Sequence, residues 1–160
     1  MVITLSYKVF ISHSTKDEEL VEYISTVLTN YGITPIIATK VRSIPPTTIS
    51  KKVQELIDSC QAVLAILTIN GIQSPWVQQE IGYCIKSGKP IVSLVDSRIH
   101  PEKLAFLQGS EHVIMDRRNI EEAVHQTAQW LYHLKIKKEK SDILAALIVG
   151  AFLLWALSSE

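Results

Sequence analysis

Apolar positions along the 160-residue chain fall into short unbroken runs, and between those runs they recur at helical spacing. The first run, Val9-Phe10-Ile11, closes on Ser12-His13-Ser14 and predicts a buried strand over 7–12 feeding a loop. Ser14 or Thr15 caps the helix that follows, and Asp17, Glu18 and Glu19 in its first turn favour the helix dipole. Leu20, Tyr23, Ile24, Val27 and Leu28 form its inward stripe, and Gly32 supplies a left-handed end. A second strand over 34–38 leads into a loop over 39–46 that carries Lys40, Arg42 and Pro45-Pro46. Thr47 or Thr48 caps the next helix, with Ile49, Val53, Leu56 and Ile57 on one face. Residues 62–68 are nearly all apolar, the mark of a strand covered on both faces. Asn70-Gly71 reads as a turn, and Ser74-Pro75 starts a helix that ends at Ser87-Gly88. Residues 90–95 form a fourth strand, 96–110 an irregular stretch with a turn of helix at 102–107, 112–115 a fifth strand, and 119–134 a helix.

Strands and helices thus alternate with short connections, which predicts an α/β fold: a parallel sheet with helices on both faces. For five strands joined by right-handed crossovers, the common arrangement is flavodoxin-like, order 2-1-3-4-5. Its ligand crevice lies at the carboxyl ends of strands 1 and 3, where the winding reverses. Strand 1 ends at Ser12-His13-Ser14, and strand 3 leads into Trp76 and Glu80. Those two residues are four apart, on one helix face. An aromatic plate beside a carboxylate suits a ligand with a flat ring and a reacting sugar. On spacing alone, a core Trp with a solvated Glu is the better fit. The position at the reversal point turns the reading toward function.

Composition narrows the partners. Sixteen basic and 16 acidic residues give zero net charge, so no basic excess argues for nucleic acid. Cys60 and Cys84 have neither metal spacing nor a disulfide framework, which fits a reducing compartment. His100, His112, His125 and His133 show no metal-ligand spacing either, so no metal site is expected. Residues 1–4 lack the charged and apolar segments of a signal peptide.

The end of the chain departs from this pattern. A charged linker over 135–142 precedes residues 143–157, 15 positions without a charge, amide or hydroxyl. As a helix this run is about 22 Å long against a hydrocarbon core of roughly 30 Å, and flanking serines extend it to 143–159. Trp155 fits an interfacial anchor and the preceding lysines fit a cytoplasmic side, so a single-pass C-terminal anchor is expected. A helix buried between protomers of a soluble assembly is the rival, and small residues at Ala145-Ala146 and Gly150-Ala151 allow both.

With Phe10-Ile11-Ser12-His13-Ser14, residues 49–60, Trp76-x3-Glu80 and Gly88-Lys89-Pro90-Ile91-Val92, residues 6–134 resemble a Toll/interleukin-1 receptor (TIR) domain, most of all the prokaryotic members. The organisation expected is a TIR domain over 1–134, the linker and the membrane segment. The resemblance implies an enzyme that cleaves NAD+ at the nicotinamide–ribose bond, with NAD+ as substrate and no separate cofactor. It places the catalytic carboxylate on Glu80, the aromatic neighbour on Trp76, and a nucleotide-lining role on Phe10 and Ser12. It also implies packing of TIR protomers through the loop over 39–46, which here has lysine, arginine and prolines in place of acidic and glycine character. His13 is read either as a ribose contact or base, or as a loop residue capping the helix. Lys40 and Arg42 hold phosphates or form a solvated loop. Asp96 lines the crevice rim or caps a turn, and Tyr83 reads as core.

One carboxylate suffices for such chemistry. Hydrolysis of an O-glycoside needs an acid for the leaving oxygen. The nicotinamide of NAD+ is already cationic and departs neutral. What remains is to stabilise an oxocarbenium-like ribose, which a placed carboxylate does electrostatically or as a nucleophile. Attack by water gives hydrolysis and attack by the adenine gives a cyclic product, and both stay open. The leading expectation is a membrane-tethered NAD+ glycohydrolase switched on by self-assembly, in antiviral defence or cell suicide. The rivals are a non-enzymatic TIR adaptor and a cyclase producing a nucleotide signal.

Overall fold

The computed structural model describes residues 6–38, 49–107 and 109–158. The expectations for Lys40, Arg42, the 39–46 loop and the Thr47/Thr48 cap fall outside them. Five parallel strands, β1 (Tyr7–Ser12), β2 (Ile33–Ile37), β3 (Ala62–Leu67), β4 (Ile91–Asp96) and β5 (Glu111–Met115), form one sheet of order β2-β1-β3-β4-β5. This is the expected flavodoxin-like order. β3 and β4 are buried at every position, as their unalternating apolar runs require.

Among the described residues five α-helices flank the sheet: α1 (Glu18–Asn30), α2 (Lys51–Asp58), α3 (Ile69–Gln73), α4 (Pro75–Lys86) and α5 (Ile120–Ser158). Strand alternation sends Val9 and Ile11 to one face, where they meet Ile24 and Leu28 of α1 and Val124, Ala128 and Leu131 of α5. Phe10, Val63, Ala65 and Leu67 point to the other face, against Val53 and Ile57 of α2 and Val77, Ile81 and Cys84 of α4. Ser12 follows Phe10 by two and therefore faces α4.

Several local readings change. Ser14 caps a short 3-10 turn, Thr15–Asp17, from which α1 continues. Ser50 caps α2, its hydroxyl accepting from Val53 N–H at 3.3 Å. Asn70-Gly71 is not a turn but the middle of α3, capped by Thr68. The stretch before β5 holds a 3-10 helix over Pro101–Leu107. Gly32, at φ +68°, ends α1 as expected.

The largest departure is α5, 39 residues without a break and so about 58 Å long. Its first turns lie against the sheet through Ala123, Val124, Thr127, Ala128 and Leu131. The 135–142 stretch, expected as a linker, is helix. Ion pairs one turn apart, Lys135–Glu139 at 3.9 Å and Lys138–Asp142 at 2.7 Å, each support it by a few tenths of a kcal/mol. Beyond it the apolar side chains stand in the open, Leu154 at 71% and Leu157 at 75% exposure. This C-terminal helix is long and apolar enough to cross a membrane.

Candidate functional site

The site is built where β1, β3 and the start of α4 meet. Thr68, just past β3, donates its hydroxyl to Asp17 Oδ2 at 2.6 Å and accepts from Gly71 N–H at 2.9 Å. One threonine thereby ties the turn after β1 to α3. Gly71 is there for space: a Cβ would lie 2.2 Å from the Ile66 carbonyl oxygen. Gln78 then clamps α4 to α3, its side-chain amide donating to Ile72 O at 3.0 Å. Ser74 caps α4 and Pro75 holds its first position.

Glu80, one turn beyond Trp76, lies on the buried face of α4 and has no exposed surface. A carboxylate at such a site needs a donor to offset lost hydration. Ser12, at the end of β1 and itself fully buried, supplies one: its hydroxyl donates to Glu80 Oε2 at 2.6 Å. His13 is also buried, with Nδ1 3.2 Å from Ile11 O. A carbonyl only accepts, so Nδ1 carries the proton, and in the neutral ring Nε2 is the acceptor. Trp76, one turn before Glu80 on α4, is half-buried.

Ser12 and Glu80 thus meet at the reversal point of the sheet, with His13 next to Ser12 in the chain and Trp76 one turn before Glu80 on α4. Phe10 does not join them. It is a core side chain, fully buried in the cluster beneath α2 and α4. Beside the group is a cavity of about 260 Å³ lined by Ser14, Lys16, Asn70, Gln73, Ser74 and Pro75. Ligand pockets are commonly roughly 300–1,000 Å³. This cavity is smaller, and Ser12, His13, Trp76 and Glu80 are not among its lining residues. Larger cavities of about 530–540 Å³ lie elsewhere, one between the starts of α1 and α5, another at the opposite edge of the sheet.

Asp96 is a turn residue. Fully buried at the end of β4, it accepts from Arg98 N–H at 3.0 Å, from the Arg98 guanidinium at 2.9 and 2.7 Å, and from Arg117 at 3.4 Å. The hydrogen-bonded Arg98 side chain, against the opposing effect of burial, holds its carboxyl down at about 2. Tyr83 is half-buried and donates to Asp58 at 2.9 Å, binding α4 to α2. Burial first, and the Glu80 carboxylate one turn away second, push the Cys84 thiol up to about 12. Sequence reasoning missed Thr68, Gly71 and the cavity residues Lys16, Asn70 and Gln73. The signal for the first two was the pattern Thr-x-x-Gly, an N-cap hydroxyl with the N–H it accepts from three residues on.

A TIR domain model matches residues 9–131, most of the chain. The chain belongs to the TIR domain family. Among solved structures, the TIR domain is similar to a CMP N-glycosidase from Clostridium botulinum, with TM-score 0.55 and 17% identity over 74% of this chain and 96% of that one. It is similar to a diflavin flavoprotein from Nostoc sp., with TM-score 0.52 and 14% identity over 83% and 97%. The TIR domains of the activated Roq1 resistosome align with TM-score 0.48 and 17% identity over 78% and 84%. At these identities the likeness is one of fold. No curated protein matches the chain.

Proposed function

We propose that this TIR domain is an NAD+ glycohydrolase, with Glu80 as its catalytic carboxylate. The observation that carries the reading is Glu80 at the carboxyl ends of β1 and β3, held by Ser12 at 2.6 Å with Trp76 one turn away. In the proposed reaction the C1′–N bond breaks and its electron pair leaves with neutral nicotinamide. Glu80 stabilises the ribosyl cation, water adds to C1′, and ADP-ribose and a proton are released. Trp76 stacks the nicotinamide or adenine ring. Ser12 orients Glu80, His13 lies within reach of the ribose, and Lys16 with the start of α4 suits the pyrophosphate. A cyclase, in which the adenine attacks C1′, uses the same groups. The N-glycosidase fold neighbour is named for cleaving the same bond class, a nucleotide N-glycoside.

The C-terminal half of α5 is the anchor in this reading, with the TIR domain on the cytoplasmic side. Confinement to a membrane raises the effective concentration of protomers and favours assembly. The biological setting that fits is antiviral defence or cell suicide.

One observation favours an adaptor instead: Glu80 has no exposed surface, so turnover requires the crevice to open. Chromatography of NAD+ and CMP after incubation with the full chain in liposomes distinguishes the two. Cleavage of NAD+ by the wild type and a loss of about 10³-fold in Glu80→Gln are expected, a preorganised electrostatic contribution of this kind being worth 10²–10³ or more. Equal rates in wild type and variant eliminate Glu80 as the catalytic group, and no cleavage of either nucleotide by assembled protein leaves the adaptor.

A further inference from the structure

We propose that the sheet edge from which α5 departs is a docking surface for an anionic bilayer, and that the Glu80 crevice consequently faces away from the membrane. The inference rests on the anchor reading of α5. Its starting point is helix polarity. α5 begins beside Thr68 and Met115, at the carboxyl ends of the strands. It finishes its contact with the domain at Leu134 and Lys137, against Pro90 and Ile91 and against Ser110 and Glu111, where β4 and β5 begin. The apolar segment therefore leaves from the amino-terminal edge of the sheet, opposite the edge that holds Ser12, Trp76 and Glu80.

The unbroken helix sets the height of that edge. Lys137 is level with it, and Ile143, the first residue of the apolar run, is six residues further, about 9 Å. The headgroup layer of one leaflet is roughly 5–8 Å thick. The Debye length at physiological salt is about 8 Å. The edge is thus held within electrostatic reach of the lipid phosphates.

Its charge matches. Lys8, Lys86 and Lys89 lie at this edge, and α5 adds the four lysines of its 135–140 stretch. Among the described residues, the carboxylates there are Asp58, Glu111, Glu139 and Asp142, leaving an excess of three positive charges. The described residues outside this edge carry more carboxylates than basic side chains, with Asp17, Glu18, Glu19, Asp116, Glu121 and Glu122 at the opposite end. Charge is segregated along the axis that α5 defines. The same edge is indented by a cavity of about 530 Å³ with Lys137, His133 and Trp130 on its wall.

The test uses the full chain reconstituted in vesicles of phosphatidylcholine alone or of phosphatidylcholine with phosphatidylglycerol. After flotation, the rate of amine acetylation at individual lysines is followed by mass spectrometry. Exposed Lys86 and Lys137 are expected to react about fivefold more slowly on the anionic vesicles, the attraction of one lysine to an anionic surface being of that size. Lys16, Lys51 and Lys52, at the opposite edge, are expected to react at one rate on both, and high salt to erase the difference. Floated protein whose Lys86 and Lys137 rates are the same on both vesicles overturns the docking surface and leaves the anchor standing. Slowing at Lys51 and Lys52 instead inverts the orientation and overturns it as well. Protein that does not float removes the anchor and this proposal together.

Discussion

Two glycines one helix apart make opposite predictions. At Gly71 an added methyl would sit 2.2 Å from the Ile66 carbonyl oxygen, against an ordinary C···O approach of about 3.3–3.6 Å. The obstacle is backbone of the central strand, which cannot rotate aside. α3 must move outward by about 1 Å, stretching the Thr68 cap and shifting Ser74, from which α4 starts. Overpacking of this kind costs about 1–3 kcal/mol, and the rigid neighbour puts Gly71→Ala at about 3. Gly82, exposed in the middle of α4, has no atom within 4 Å of an added Cβ. Gly82→Ala therefore gains helix propensity, about 0.5–1 kcal/mol. The variants should differ by about 4 kcal/mol, roughly 10 °C in melting temperature at this chain length. Urea unfolding of the full chain in detergent, followed by circular dichroism, measures both. Gly71→Ala within about 0.5 kcal/mol of wild type, or Gly82→Ala falling below it, would refute the close approach of α3 to β3.

Other substitutions probe the site and the ion cluster. Ser12→Ala removes the hydroxyl that donates to Glu80, and a hydrogen bond to a charged group is worth about 1.5–3 kcal/mol. NAD+ turnover should fall about 10–150-fold while Ser12→Thr retains most of it, and equal rates would show that Ser12 does not orient the carboxylate. Asp96 has its carboxyl lowered from 3.8 to about 2 in the folded protein, so its contribution is complete above pH 4 or so and is lost as pH falls through about 2. The arginine partners are half exposed, which limits that contribution to about 1–2 kcal/mol. Asp96→Asn should flatten the stability curve between about pH 4 and 2, and an unchanged curve would refute the assignment.

The strand order could be read from the chain because each strand is a short apolar run bounded by polar residues, and because 62–68 shows no alternation. The meeting of β1 with Glu80 was legible for the same reason, as it follows from topology. What escaped depends on contacts distant in sequence. Asn70-Gly71 has local turn chemistry, yet Thr68 and the Ile66 carbonyl decide for a helix. Three hydroxyl residues precede α2, and only the course of the chain selects Ser50. Asp96 could not be assigned until Arg117, 21 residues on, was placed beside it. The helical character of 135–142 was hidden by its charge, although pairs four apart are what a solvent-exposed helix carries.

The continuity of α5 also restricts symmetry. It contains no proline, and its one glycine lies past the domain, so nothing between Ile120 and Val149 invites a hinge. Copies anchored in one bilayer must all stand with the same polarity. Two-fold axes lying in the membrane plane, which would set protomers head to head, are then closed to them. Rotation axes along the membrane normal, and translations within the plane, remain available. In the proposed anchored form, assemblies are therefore rings or sheets in which every Glu80 crevice opens in one direction.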